Sequence, residues 1–306
     1  SGADDNTLKL WDLGCGHAPR MPEDHLSSVT GVAVTADGRR AVSISIDGTL
    51  KLWDLESGRS LFTSEGHSSA PNAVAVTADG TRAVSASDDR TLTVWDLESG
   101  RAVGKLEGHL DSVRGVAVTA DGKRAVSASN DETLKVWDLE SGRVLRTLRG
   151  HSEAVTSVTV TADGKRAISA SDDETLKVWG LESGRVLRTL RGHSAVVTGV
   201  AVTADAKRAI SASDDQTLKV WDLESERVLC TLEGTSHLVS GVALASDGRL
   251  AVSSSLNRTL KLWDLYRGIC LATFHCDASV LCCAFAQQTI IAGDEAGRVH
   301  FLRLEE

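Results

Sequence analysis

The chain has 306 residues, 42% of them hydrophobic, and 33 basic against 42 acidic side chains give a net charge of −9 at pH 7. Such a chain can bury a sizeable core in one large body, and its acidic balance argues against nucleic acid, whose phosphates call for a basic footprint. No apolar run approaches the ~18 residues of a membrane span and no signal-peptide pattern opens the chain, so we read a cytoplasmic protein with no membrane partner.

The first strand-like segment is TLKLWDL (7–13), followed by HAPRMPE (17–23). In the latter, Pro19 and Pro22 cannot donate to a ladder, which restricts it to a sheet edge. Trp11 begins a series: tryptophan recurs at 53, 95, 137, 179, 221 and 263, always 42 residues apart, and these are all seven tryptophans of the chain. A fixed period of roughly 20–50 residues is the mark of a repeat architecture. Seven copies of one strand are predicted to begin near Val29, Asn72, Val113, Val155, Val197, Val239 and Val280.

The copy over 140–181 spells out the unit. RVLRTL (143–148), AVTSVTV (154–160), RAISAS (166–171) and TLKVW (175–179) read as strands rich in β-branched residues. Asp163-Gly164 makes a tight hairpin between two of them, and Glu182-Ser183-Gly184 turns into the next copy. Four short strands per repeat with no competing helix, copied radially, predict an all-β, seven-bladed β-propeller of four-stranded antiparallel blades. The last repeat brings three strands and needs a fourth from the N-terminal side. Repeat logic assigns that place to 17–23, leaving 1–13 as a surplus strand from a preceding blade and 14–306 as the propeller. The chain also begins without Met and in mid-repeat, so it reads as a piece of a longer protein.

Further along, the copies depart from one another. Ala206 replaces the hairpin glycine of Gly38, Gly80, Gly122, Gly164 and Gly248, and Gly180 replaces an Asp after Trp. Thr235 and Asn257 stand where earlier copies carry His and Asp, which weakens the sixth repeat. Cys276 and Leu302 take the His and Trp positions in the last, whose blade is expected to rely on apolar packing alone. The six cysteines, Cys15, Cys230, Cys270, Cys276, Cys282 and Cys283, follow no repeat position and form no Cys-x-x-Cys pair. They read as free, mostly buried thiols, with no metal site and no cofactor implied.

Each complete copy also holds a serine, a histidine and an aspartate, the trio of an activated nucleophile. Five sets recur at constant spacing: His25, Ser43, Asp47, Trp53; His67, Ser85, Asp89, Trp95; His109, Ser127, Asp131, Trp137; His151, Ser169, Asp173, Trp179; and His193, Ser211, Asp215, Trp221. A catalytic site is normally unique in its domain, so fivefold repetition argues for a structural role. Indole is donor-only, ionised Asp acceptor-only, and Ser and neutral His are both, so the four can form one satisfied buried chain.

The succession Gly-His, strand, Asp-Gly, Ser-x-Ser-x-Asp and Trp-Asp resembles the WD-repeat family of β-propellers over essentially residues 1–304. The resemblance implies that these four side chains hydrogen-bond within each blade, and that each repeat supplies one blade's outermost strand and the next blade's inner three. It also marks rim positions on the face that carries the loops into the first strand. Those that vary between copies give a candidate binding set of Asn72, Asp88, Arg114, Asn130, Thr156, Asp172, Thr198 and Asp214, in which Asp88, Asn130, Asp172 and Asp214 form an acidic arc suited to a basic peptide. An apolar stretch of rim at Ile46, Leu256 and Leu281 is the next candidate.

Two functional classes remain: a non-enzymatic protein or peptide recognition scaffold, and a hydrolase or other enzyme using the central funnel. The chain offers no Gly-rich phosphate loop and no nucleophile elbow, which favours recognition. The near-identical repeats and the tail AGDEAGRVHFLRLEE resemble C-terminal propellers of bacterial nucleotide-switch sensors of the NACHT or NB-ARC type, which implies a sensor or autoinhibitory propeller within a larger signalling protein.

Overall fold

A run such as RAISAS is almost wholly enclosed because both faces of its sheet are covered, and its Ala and Ser let neighbouring sheets approach closely. Around such strands the chain builds seven sheets. The structure, a computed structural model, describes residues 9–12, 24–234 and 237–305. After β1 (Lys9–Asp12) come β2 (Val29–Val34), β3 (Arg40–Ser45), β4 (Thr49–Asp54) and β5 (Ser60–Glu65) of the first blade. The second blade holds β6 (Pro71–Val76), β7 (Arg82–Ser87), β8 (Thr91–Asp96) and β9 (Arg101–Glu107), and the third β10 (Val113–Val118), β11 (Arg124–Ser129), β12 (Thr133–Asp138) and β13 (Val144–Arg149). The fourth holds β14 (Val155–Val160), β15 (Arg166–Ser171), β16 (Thr175–Gly180) and β17 (Arg185–Arg191), and the fifth β18 (Val197–Val202), β19 (Arg208–Ser213), β20 (Leu218–Asp222) and β21 (Val228–Leu232). The sixth holds β22 (Val239–Leu244), β23 (Leu250–Ser255), β24 (Thr259–Asp264) and β25 (Ile269–His275), and β26 (Val280–Ala286), β27 (Thr289–Asp294) and β28 (Val299–Glu305) follow.

Every sheet is antiparallel and four-stranded, as the sequence predicts, and no helix occurs among the described residues. First strands pack against first strands around the axis, and β26 against β2 closes the ring. The cores lie between blades: Leu134, Val136 and Leu148 of the third meet Val155, Val158, Ala167 and Trp179 of the fourth. The final blade has the order β26, β27, β28, β1, with Lys9 opposite Glu305 and Asp12 opposite Leu302. The segment expected to be surplus therefore takes the outermost place. The physical reason lies in the alternative, since 17–23 carries two prolines without N–H donors whereas Lys9–Asp12 offers a donor at every residue. Residues 17–23 themselves, with Cys15 and Thr235, lie outside the described residues.

Ala206 holds φ at +55°, so the hairpin keeps its glycine-type conformation without glycine. It costs roughly 1–2 kcal/mol.

Candidate functional site

In each complete repeat the histidine arrives on the loop before the first strand, the serine in the second strand, the aspartate in the following turn and the tryptophan in the third. They meet between the strands. In the fourth blade Trp179 Nε1 donates to Ser169 Oγ at 2.8 Å, Ser169 Oγ lies 2.7 Å from His151 Nε2, and His151 Nδ1 lies 2.7 Å from Asp173 Oδ2. The carboxylate only accepts, so Nδ1 carries the proton and Nε2 of the neutral ring accepts from Ser169. The third blade repeats this through Trp137, Ser127, His109 and Asp131, and the fifth through Trp221, Ser211, His193 and Asp215. In the second, Trp95, Ser85 and His67 are joined likewise, and Asp89 stands 3.2 Å from His67 Nδ1. In the first, His25 binds Ser43 at 2.6 Å, Trp53 donates to Ser43, and Nδ1 reaches Thr49 Oγ1 at 2.8 Å with Asp47 at 3.6 Å. Each of these serines is fully enclosed, with its hydroxyl oxygen taken between indole and imidazole. No buried side-chain polar atom lacks a partner among the described residues.

The electrostatics follow from burial and partners. Burial pushes the His25 imidazole down to about 4, outweighing the pull of Asp47, and lowers His67 and His193 as well. The aspartates are cut off from water too, which alone would raise them, but the hydrogen bonds they accept win. Asp89 falls to about 2 under those from Thr91, Ser68 and His67, and Asp131 and Asp173 are held well below the usual carboxylate range. The threonine two residues after each aspartate is a member the sequence reading missed. Thr91, Thr133, Thr175 and Thr217 each donate their hydroxyl to that Asp at 2.5–2.6 Å. Its constant spacing was the available signal, masked because Thr also reads as an ordinary strand residue.

The divergent blades keep parts of this device. In the sixth, Trp263 still donates to Ser253 at 2.9 Å, and Asn257 accepts from Thr259 as the aspartates do. In the last, Leu302 is fully buried at the Trp position, but packing is not purely apolar there. His300 Nε2 meets Asp294 Oδ2 at 2.8 Å, both buried. Cys230, Cys270, Cys282 and Cys283 are free thiols, and of the described cysteines only Cys270 is exposed. Burial pushes the Cys283 thiol up to about 12 and raises Cys282 also.

The axial channel is a cavity of about 220 Å³ lined by the first strands of all seven blades. Near its mouth, several rim positions serve as latches from one blade to the next. Thr30 donates to the Pro71 carbonyl at 2.6 Å, Asn72 to Val113 at 3.0 Å, Thr156 to Val197 and Thr198 to Val239 at 2.5 Å, and Ser240 to Val280 at 2.6 Å. Two positions break the series. Leu281 has no donor, and Cys282 Sγ meets the Val29 carbonyl at 3.5 Å instead. Arg114 is exposed and donates Nε to Asn130 Oδ1 at 3.1 Å.

The acidic arc is uneven. Asp88 accepts from Asn72 Nδ2 at 2.7 Å. Asp172 and Asp214 are half-buried and their carboxylates accept no protein hydrogen bond among the described residues. Burial raises both; Arg114 opposes this at Asp172, whereas the charge of Asp172 adds to it at Asp214. Ile46 and Leu256 are exposed on the turns of the first and sixth blades, and Leu281 is half-buried. No group of three or more His, Cys, Asp or Glu among the described residues is placed to hold a metal.

Comparison with known families places these observations. The family described as WD domain, G-beta repeat matches residues 19–54, 58–96, 100–138, 142–180 and 184–222. The family described as TEP-1 C-terminal beta-propeller matches 235–304. No curated protein matches the chain. The five repeat matches cover more than half of the sequence and end at or next to the residue after each tryptophan from Trp53 to Trp221, so the chain belongs to the WD-repeat family of β-propellers.

Proposed function

We propose that the protein is a non-enzymatic recognition scaffold that takes a basic peptide segment across the acidic arc at the channel mouth. WD-repeat propellers are typically protein-interaction scaffolds, and the rigid latched ring suits that use. The observation that carries the choice of ligand is the pair Asp172 and Asp214, two carboxylates on adjacent blades with no hydrogen-bond partner of their own and each pushed up by burial. A cationic side chain set between them relieves both. Asp88 and Asn130 continue the arc onto the second and third blades, and Arg114, bonded to Asn130, divides Asp88 from the Asp172 and Asp214 pair. Of the other rim positions, Asn72, Thr156 and Thr198 hold the mouth in shape through their latches. Support against funnel catalysis comes from the enclosed serines and from channel thiols raised far from thiolate. The setting we propose is the cytoplasm, as the sensor or autoinhibitory propeller of a larger bacterial signalling protein.

The test starts from proteins co-purified with the parent chain and identified by mass spectrometry. Affinity of the captured segment is expected to fall as salt shortens the Debye length from about 10 Å at 0.1 M to 3 Å at 1 M. Asp88→Asn, Asp172→Asn and Asp214→Asn together are expected to slow association more than they speed dissociation. Equal affinity for wild type and triple variant moves recognition to the apolar rim at Ile46, Leu256 and Leu281.

A further inference from the structure

Two outer strands differ from the rest in charge. β13 carries Arg146 and Arg149, with Arg143 just before it, and β17 carries Arg185, Arg188 and Arg191. Neither strand holds an acidic residue, in a chain of net charge −9. By contrast β5 and β21 hold no Lys or Arg, and Glu107 accompanies the two cations of β9. Of the six guanidinium groups only that of Arg188 has a protein acceptor among the described residues, at the Glu224 carbonyl and Glu226 Oε1. Among these arginines Val144, Leu145, Val186 and Leu187 are between 37% and 51% exposed. The patch is continuous across the seam, since a Cβ built on Gly150 would lie 3.0 Å from Val186, and one on Gly184 would lie 3.5 Å from Arg146.

Both strands are outermost in their sheets, so each presents a row of backbone N–H and C=O groups outward. The register settles how the cations flank that edge. Arg146 stands opposite Val136 and Arg149 opposite Thr133, and Arg188 and Arg191 stand opposite Val178 and Thr175. Paired residues share a face and strand neighbours alternate, so the two arginines of each pair lie on opposite faces of their sheet. A flat anionic surface, whether lipid or duplex, meets one side of such an edge. An added strand meets both.

We infer that the perimeter of the third and fourth blades is a docking surface for an acidic, extended peptide segment. It adds as a fifth strand to β13 or β17, its carboxylates on the arginines and its apolar side chains on the exposed Val and Leu. The same like charges keep the edges of two copies from pairing with each other. The surface is separate from the channel mouth and stands whether or not the acidic arc binds a basic segment.

The probe is a fluorescein-labelled peptide of alternating Thr and Glu, titrated at low ionic strength and followed by anisotropy. Saturable binding is expected, with slowed amide exchange confined to β13 or β17. Arg146→Glu, Arg149→Glu, Arg185→Glu and Arg191→Glu together are expected to weaken it about tenfold or more without moving the melting temperature, because the four side chains are exposed and exposed ion pairs add modestly but cumulatively. On the wild type, the same Thr-Glu peptide N-methylated at every backbone nitrogen is expected not to bind, since it keeps the charge but has no N–H to donate to the edge. Asp172→Asn with Asp214→Asn is expected to change nothing. Equal binding of the N-methylated peptide or of a Thr-Lys peptide, unchanged exchange in both strands, or tighter binding of phosphatidylserine vesicles or duplex DNA would each overturn the inference.

Discussion

One hydroxyl, Ser169 Oγ, joins Trp179 to His151 in the interior of its blade. Ser169→Ala strands an indole N–H and an imidazole nitrogen away from water, and a loss of about 1–3 kcal/mol is expected in urea unfolding. His151→Ala is expected to fall in the same range and leave the fold unchanged, because neighbouring blades keep their own chains. The same groups set a pH dependence. Folded His25 titrates near 4 against 6.5 in the unfolded chain, so between those values the unfolded state binds more protons. Stability is full above 6.5 and falls as pH drops toward 4, with His25 alone accounting for roughly 3 kcal/mol and His67 and His193 adding in the same direction. The aspartates, whose folded values lie below the ordinary 3.8, hold their contribution down to that point and lose it only as pH falls through the folded value, about 2 for Asp89. Urea midpoints across this range are therefore expected to show two stages of loss, with the upper stage shallower in His25→Gln. The four-member chains were legible in the sequence because their spacing never varies and their donors and acceptors balance. The Thr91, Thr133, Thr175 and Thr217 hydroxyls were not, since nothing in a β-propensity reading distinguishes a threonine that caps a carboxylate from one that fills a strand.

Turns and seams carry the strain of the individual elements. Among the described residues, the one five before each Trp from Trp53 to Trp263, and before Leu302 in the last blade, has positive φ, and of these only Gly48 and Gly297 suit it. Arg90, Glu132, Glu174, Gln216 and Arg258 adopt φ of 63–70° with a side chain attached. Glu174→Gly, and likewise Ala206→Gly in its hairpin, is expected to stabilise by about 0.5–1 kcal/mol, read as a higher urea midpoint, the αL strain less the entropy glycine adds to the unfolded chain. The reverse holds at Gly293, where other blades have Ile44, Ala86, Ala128, Ala170, Ala212 or Ser254. A Cβ there overlaps Val29 across the closing seam, so Gly293→Ala is expected to destabilise by about 1–3 kcal/mol. Strands and hairpins were readable because alternation and Asp-Gly turns are local signals. The outermost strand of the last blade was misassigned because repeat spacing names the segment after a tryptophan, whereas pairing needs N–H donors that Pro19 and Pro22 lack. His300 and Asp294 escaped notice because they pair from positions where the other copies carry Lys or Thr and Ser, away from the His and Asp positions of the repeating set.

At the scale of the whole molecule, the seams are held by apolar packing inside, with five side-chain latches at the mouth and three arginine latches at the opposite end. At the end opposite the mouth, Arg40, Arg124 and Arg166 donate to the carbonyls of Gly80, Gly164 and Ala206 in the next blade's hairpin. Blade number and circular order were legible from the 42-residue period. Which rim side chains face a ligand and which hold a neighbour was not, because a threonine or asparagine at the channel mouth serves either purpose until its acceptor is seen. Lys9 and Glu305 stand side by side as ladder partners, so the first and last described strands complete a single sheet. In a ring built this way, the break between Glu305 and Lys9 falls where the other blades turn from the third strand to the outermost one. A circular permutant that joins the two ends by a short linker and opens instead between Glu182 and Gly184 keeps every sheet whole. Its far-ultraviolet dichroism and tryptophan emission are expected to match those of the parent.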